Sequence, residues 1–298
     1  MKPADEVRAA FAEAGVRGWL HAVPIGGGSR DVDVDADEPV VMASVYKLPL
    51  LVAFVRLVDE GGVDPTERVE VPGTGRTPGP TGLSVLRDAV TLSWRDLAAL
   101  AITVSDNAAA DVLLRRVGLE RVNDLLAELG LTGTRVVGGT EDILRDLRGQ
   151  VGAPDVRAAF AALARDDAVP EVAAYDPALT SATTARDMTA LLTGVWRDAV
   201  ASPGGCAFAR ELLGAQVWPH RLRAGFPYRE ATVAGKTGTI GAIRNEVGVV
   251  SFAGERPVAV AVFTRAARAD PVLPRADAVI GTAARLAVAP LRSGRLTQ

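Results

Sequence analysis

Ser44 and Lys47 stand three residues apart in Met42–Ala43–Ser44–Val45–Tyr46–Lys47–Leu48–Pro49, at the head of an apolar run. Residues three apart on a helix share a face, so the spacing predicts that hydroxyl and amine lie within hydrogen-bonding reach. A serine hydroxyl becomes a nucleophile when a base takes its proton. A lysine stripped of water has a depressed pKa and can be that base. A helix N-terminus beside Ser44 would stabilise negative charge developing there. Two later clusters can join them: Ser105–Asp106–Asn107, after an apolar helix, and Lys236–Thr237–Gly238, after Val233–Ala234–Gly235. A lone Ser-x-x-Lys is common.

Composition narrows the chemistry. The single cysteine, Cys206, permits no internal disulfide and no Cys-based metal site. Two histidines, His21 and His220, exclude a three-histidine zinc centre. The general base is therefore expected to be a lysine or a carboxylate, with no cofactor. A net charge of −3 offers no basic field for nucleic acid. The N-terminus, Met1–Lys2–Pro3–Ala4–Asp5–Glu6, lacks a leader-type apolar core, and no apolar run is long enough to span a bilayer. As written, the chain reads as a cytoplasmic, soluble, monomeric protein acting on a small molecule; export would require a leader removed from it.

The elements that must position these residues follow from periodicity. Val7, Ala10, Phe11 and Ala14 mark an amphipathic helix ended by Gly15. Val16–Val23 reads as a strand, Gly26–Gly28 as a turn, and Asp31–Asp35 as the second arm of a hairpin with its acids outward. A calcium loop at these acids fails, because Ala36 and Met42 stand where glycine and glutamate are needed. A helix is expected from Ser44 to about Glu60, then loop at Pro72–Gly82, and a helix capped by Ser93. Further helices are expected at Ala108–Val117, Glu120–Leu129, Pro154–Ala164 and Thr183–Trp196, with loops at Gly133–Gly139 and Pro170–Ser181. Strands follow at Glu230–Ala234, Val247–Phe252 and Val258–Phe263, then a helix at Arg275–Ala287. No period repeats. The 298 residues, 48% of them hydrophobic, suffice for a large core. The expected fold is α+β: a five-stranded antiparallel sheet flanked by the N- and C-terminal helices, with an inserted helical lobe. Residues 1–41 and 200–298 would form the sheet lobe and 42–199 the helical lobe, with the site in the cleft between them.

These motifs resemble those of the class A β-lactamase and penicillin-recognising serine hydrolase superfamily, whose signature joins S-x-x-K, S-D-N and K-T-G. The resemblance covers almost the whole chain and is nearest its actinobacterial-type serine hydrolase branch. Thr183–Thr184–Ala185–Arg186–Asp187–Met188, Arg221–Leu222–Arg223–Ala224–Gly225 and Asn245–Glu246 carry it further. It implies Ser44 as acylated nucleophile, Lys47 as base or proton relay, and Ser105 as the path of a proton to the leaving nitrogen. It also implies Asn107 as an amide binder, Lys236 and Thr237 as carboxylate holders, and the N–H groups of Ser44 and Thr239 as the oxyanion hole. An arginine beside the carboxylate is implied too, with Arg221 and Arg244 as candidates.

The resemblance breaks at deacylation. The family's E-x-x-x-N loop is matched by Glu141–Asp142–Ile143–Leu144–Arg145, which keeps the glutamate and puts Arg145 in place of the asparagine. Glu141 is the candidate water activator, or a first-turn helix carboxylate; Glu171 is a poorer one. The interval to Thr183 is long for such a loop and has room for an extra helix. The expected function is opening of β-lactam amides through an acyl-Ser44 intermediate. The alternatives are a D-Ala-D-Ala-type peptidase, an esterase or a dedicated acyl-transfer enzyme with poor β-lactam turnover. A non-catalytic binding protein on this fold is disfavoured by its retention of Ser44, Lys47, Ser105, Asn107, Lys236 and Thr237.

Overall fold

A computed structural model describes residues 2–27, 30–165 and 171–293; Gly28 and Pro170, which the sequence assigns to loops, lie outside them. Helix α1 (Pro3–Ala14) ends on Gly15 in the left-handed region. Strand β1 (Val16–Pro24) pairs antiparallel with β2 (Val32–Val34). Short β3 (Val40–Val41) leads to a 3-10 turn, Ala43–Tyr46, and directly into α2 (Lys47–Asp59). Every residue of α2 from Lys47 to Val55 is buried, so α2 is the axis of the main core rather than an amphipathic surface helix. Pro49 falls in its first turn, where a missing N–H removes no intrahelical bond.

Around α2 lie the hairpin β4 (Arg68–Val71)–β5 (Val90–Ser93) and helices α3 (Trp94–Thr103), α4 (Asn107–Val117) and α5 (Leu119–Glu128). Ser93 caps α3 by accepting from the Asp96 N–H. Next come α6 (Thr140–Val151), α7 (Val156–Leu163) and β6 (Ala182–Thr183), which pairs with β3. Then follow α8 (Ala185–Trp196), α9 (Pro203–Gly214) and the one-turn α10 (Leu222–Gly225). The chain closes with β7 (Ala231–Ile240), β8 (Ile243–Phe252), β9 (Val258–Ala266) and α11 (Pro274–Val288).

The main sheet has five antiparallel strands in the order β2-β1-β9-β8-β7. One face is covered by α1 and α11 over a core that includes Phe11, Leu20, Val260 and Ile280. The other face, through Trp19, Val247, Val249, Ala261 and Phe263, joins the core built on α2. The expected α+β arrangement is therefore the observed one. Helix α8, which the sequence places in the helical lobe, packs directly on β1, β8 and β9. Arg186 at its start forms ion pairs with Asp31, Asp33 and Asp37, so the outward acids of β2 are tied back to the body of the protein. Among the described residues no helix is long and apolar enough to cross a membrane, and no cluster of His, Cys, Asp and Glu could hold a metal ion.

Candidate active site

A cleft of about 860 Å³ opens where the Ala43–Tyr46 turn, the Val104–Asn107 turn, strand β7 and helices α6 and α7 meet. Ser44 lies on its wall in the turn that precedes α2. Ala43 beside it has φ 45°, and Ser105 across the cleft has φ 58°. Left-handed backbone in a residue other than glycine costs about 1–3 kcal/mol and persists only where its surroundings impose it. Here the surroundings are visible. Asn245 Nδ2 donates to the carbonyls of Val41 (2.9 Å) and Met42 (3.2 Å), while its Oδ1 accepts from Thr264 N on β9. The Ser44 turn is thus anchored to the sheet by a buried asparagine.

Lys47 is fully buried and its amine satisfies the second turn. Nζ donates to the Ser105 carbonyl (2.8 Å), Asn107 Oδ1 (2.9 Å), the Asp106 carbonyl (3.3 Å) and Ser105 Oγ (3.4 Å). Ser44 Oγ is not among its partners. The direct Ser44–Lys47 hydrogen bond expected from spacing is therefore absent in the free protein. A buried ammonium must place its protons on acceptors, and the 105–107 turn supplies more of them than one hydroxyl. Burial pushes the Lys47 pKa down to about 7, against the opposing pull of Asp111 and Asp106. Lys236, also buried, donates to Ser105 Oγ (2.9 Å) and to the Thr237 carbonyl (2.9 Å). Burial first, then the charge of Lys47, hold it well below the usual lysine value. Two amines converge on one hydroxyl, Ser105 Oγ.

The Ser-Asp-Asn turn is held from beneath. Buried Asp106 accepts from Ala108 N and Ala109 N, capping α4, and from Leu83 N and Ser84 Oγ of the neighbouring loop. Asn107 Nδ2 donates to the Pro78 carbonyl (2.8 Å), so both ends of its amide are engaged before any substrate arrives.

Strand β7 is one of the two edge strands of the sheet. Thr237 N points off that edge and donates to Gln216 Oε1 (2.7 Å). Groups two residues apart on a strand face the same edge, so the Thr239 N–H also points outward, beside the cleft that Thr237 and Thr239 line. Between them, Gly238 lets the strand approach the Ser44 turn. A Cβ there would meet the Met42 carbonyl at 2.6 Å and Val45 Cγ2 at 3.0 Å. Gly238→Ala should therefore push β7 away from Ser44. A shift of about 1 Å in a reacting group can cost roughly a hundredfold, and that is the fall expected in the rate of Ser44 acylation, with circular dichroism and Tm as fold controls. Wild-type rates in a folded Gly238→Ala protein would remove the close approach from the mechanism.

Arg221 and Arg244 both line the cleft, but their donors face inward. Arg221 donates to Asp277 Oδ1, the Gly238 and Asn245 carbonyls and Thr239 Oγ1. Arg244 donates to the carbonyls of Gly241, Ile243, Asp270 and Pro271. Burial and the neighbouring Arg221 charge lower the Arg244 pKa. Both brace β7 and β8, and Arg221 orients Thr239 in particular. His220 lines the cleft beside them.

Glu141 requires a correction. Its carboxylate is half exposed, 3.7 Å from Arg115 Nη1, and does not line the cleft. Thr140, one residue earlier, does. The reason is the phase of α6. Asp111 accepts from Thr140 N (2.8 Å) and Glu141 N (2.9 Å), and from Thr77 Oγ1 and Tyr46 Oη. This pins the helix start with Thr140 inward, its Oγ1 3.0 Å from Tyr46 Oη. Arg145 pairs with Asp142 on the outside of the helix. Sequence reasoning missed Asp111, Tyr46 and Thr140; Tyr46, between Ser44 and Lys47, was the available signal. It also missed Gln216, whose Nε2 donates to buried Glu246 (2.7 Å), and Asp277. Burial raises the Glu246 pKa to about 7, against hydrogen bonds from Leu222 N and Gln216. Among the described residues lining the cleft, Asp277 is the only carboxylate, and it is taken by Arg221.

A five-stranded antiparallel sheet with this helical body is the fold of the class A β-lactamases. The family model for the β-lactamase enzyme family matches residues 2–291, and the chain belongs to that family. It is 31% identical to the β-lactamase regulatory protein BlaB of Streptomyces cacaoi, over 94% of each chain. It is 28% identical to a β-lactamase of Amycolatopsis lactamdurans, over 91% of this chain and 80% of that one. The β-lactamase of Sphaerobacter thermophilus superposes with a TM-score of 0.78 at 26% identity, covering 96% of this chain and 97% of the other.

Proposed function

We propose that the protein opens β-lactam amides on Ser44 and releases the resulting acyl group slowly, so that the acyl-enzyme is its dominant state. The observation that carries this reading is the pairing of a complete acylation set with a cleft wall where Thr140, not a carboxylate, faces the substrate. In its neutral form Lys47 has two N–H bonds and a lone pair. It gives up one of its acceptors, and the lone pair takes the Ser44 proton as Oγ attacks the carbonyl carbon. Ser105 Oγ then gives its proton to the leaving nitrogen and is reprotonated by a lysine ammonium. The N–H groups of Ser44 and Thr239 hold the oxyanion; such donors are each worth about 3–4 kcal/mol of barrier. Lys236 and Thr237 attract the carboxylate end of the substrate. Hydrolysis of the ester then needs a base for water, and among the described residues the cleft presents no unpaired carboxylate for it.

The similarity to a regulatory protein and to a β-lactamase supports either fate for the acyl group, capture or turnover. Intact mass after mixing with benzylpenicillin separates them. The expected result is a stoichiometric adduct on Ser44, absent in Ser44→Ala, that persists for minutes or longer. A labelled Ser44→Ala protein would sink the nucleophile assignment. Rapid turnover without adduct would restore an efficient β-lactamase.

A further inference from the structure

The cleft contains one more cation, on the wall contributed by the long segment after Glu141. Ile143 and Leu144 of α6, with Val156 and Phe160 of α7, make that wall apolar. Arg157, the second residue of α7, stands among them. It is exposed and has no hydrogen-bond or ion-pair partner among the described residues. This sets it apart from Arg221 and Arg244, whose guanidiniums are buried and committed to Asp277 or to backbone carbonyls. Its neighbour Asp155 is occupied in capping α7 through Ala158 N. A guanidinium with no partner among the described residues, at the edge of an apolar wall, matches a ligand that is hydrocarbon along its length and anionic at its tip, since arginine forms paired hydrogen bonds with a carboxylate.

We propose that the cleft selects acyl groups whose side chain ends in a carboxylate, with Arg157 receiving that charge and Ile143, Val156 and Phe160 bedding the methylenes. The preferred substrate then carries two anionic ends, one directed to Thr237 and Lys236 and the other to Arg157. This inference rests on the acyl-Ser44 reading above and names the substrate class of the same site.

Two penicillins test it: the hexanoyl and adipoyl amides of 6-aminopenicillanic acid, equal in carbon count and differing in a terminal carboxylate. The second-order rate of Ser44 labelling is measured by intact mass for each. The wild type should favour the adipoyl compound by about fivefold, the range of a solvent-accessible ion pair. The ratio should fall to about one in Arg157→Ala and below one in Arg157→Glu, and should shrink at high salt. Equal labelling of wild type by both compounds, or a wild-type ratio retained in Arg157→Ala, overturns this inference alone. Failure of both compounds to label Ser44 overturns the acyl-Ser44 reading and this one with it.

Discussion

Placing a glutamate at position 140 should convert a slow acyl-enzyme into a fast hydrolase. Thr140 opens α6 with its side chain in the cleft, pinned there by Asp111 and Tyr46. A glutamate in its place starts from the same backbone and reaches two bonds further into the open volume. The site already suits an anion, because helix N-termini favour negative charge. Nearby Asp111 and partial burial would raise the new carboxylate's pKa toward neutrality, the useful range for a general base. A positioned base contributes roughly 10²–10⁴-fold, so the half-life of the benzylpenicillin adduct should shorten by about a hundredfold or more. Glu141→Gln is the control: its carboxylate faces Arg115, and the adduct lifetime should not change. An unaltered lifetime in a folded Thr140→Glu protein, or a lengthened one in Glu141→Gln, would place the hydrolytic base elsewhere.

The second large effect concerns Lys47. With its pKa lowered to about 7, roughly half of the amine is neutral at pH 7 and about a tenth at pH 6. Only the neutral amine can accept the Ser44 proton. Acylation should therefore rise about tenfold per pH unit below that value and level off above it. Had the pKa stayed at the ordinary lysine value of 10.5, the rise would continue through pH 9. Lys47→Arg keeps a cation that donates to the 105–107 turn but does not deprotonate. It should acylate roughly 10²–10⁴-fold more slowly and lose the inflection near pH 7. Stopped-flow competition with a fluorescent penicillin across pH 5–9 reads both quantities. A flat wild-type profile would remove Lys47 as the base.

Much of this architecture was legible because it is periodic. The α1 and α11 faces, the β1–β2 hairpin and the Ser93 cap all follow from local patterns that tertiary contacts then reinforce. Helix α9 was missed because Gly204 and Gly205 occupy its first turn; glycine there costs about 1 kcal/mol relative to alanine. Its start depends on Ser202, which accepts from Gly205 N. Strand β7 extends through Ile240, beyond the alternating stretch, because Lys-Thr-Gly-Thr lacks an apolar face and is held in register by β8. The three motifs were readable as residue types, but their contacts were not. Which oxygens Lys47 would choose depends on a turn 58 residues away. Whether Thr140 or Glu141 faces the cleft depends on Asp111, about 30 positions earlier in the chain. One residue of helical phase turns Thr140 into the cleft wall and the Glu141 carboxylate toward Arg115.

The unpaired margin of β7 has a meaning beyond its donors. Open strand edges are where unrelated chains add themselves, and proteins generally blunt them. Here Gln216 occupies one position, and the helices around the cleft shield the stretch near Thr239 from any long strand. What remains beside the cleft is the outward N–H of Thr239. On the acyl-Ser44 reading, the substrate would complete the sheet as a fragment of strand, a geometry that a rigid bicyclic amide presents without ordering cost. On the same reading, the enclosure limits how much of a peptide-like molecule can lie along β7.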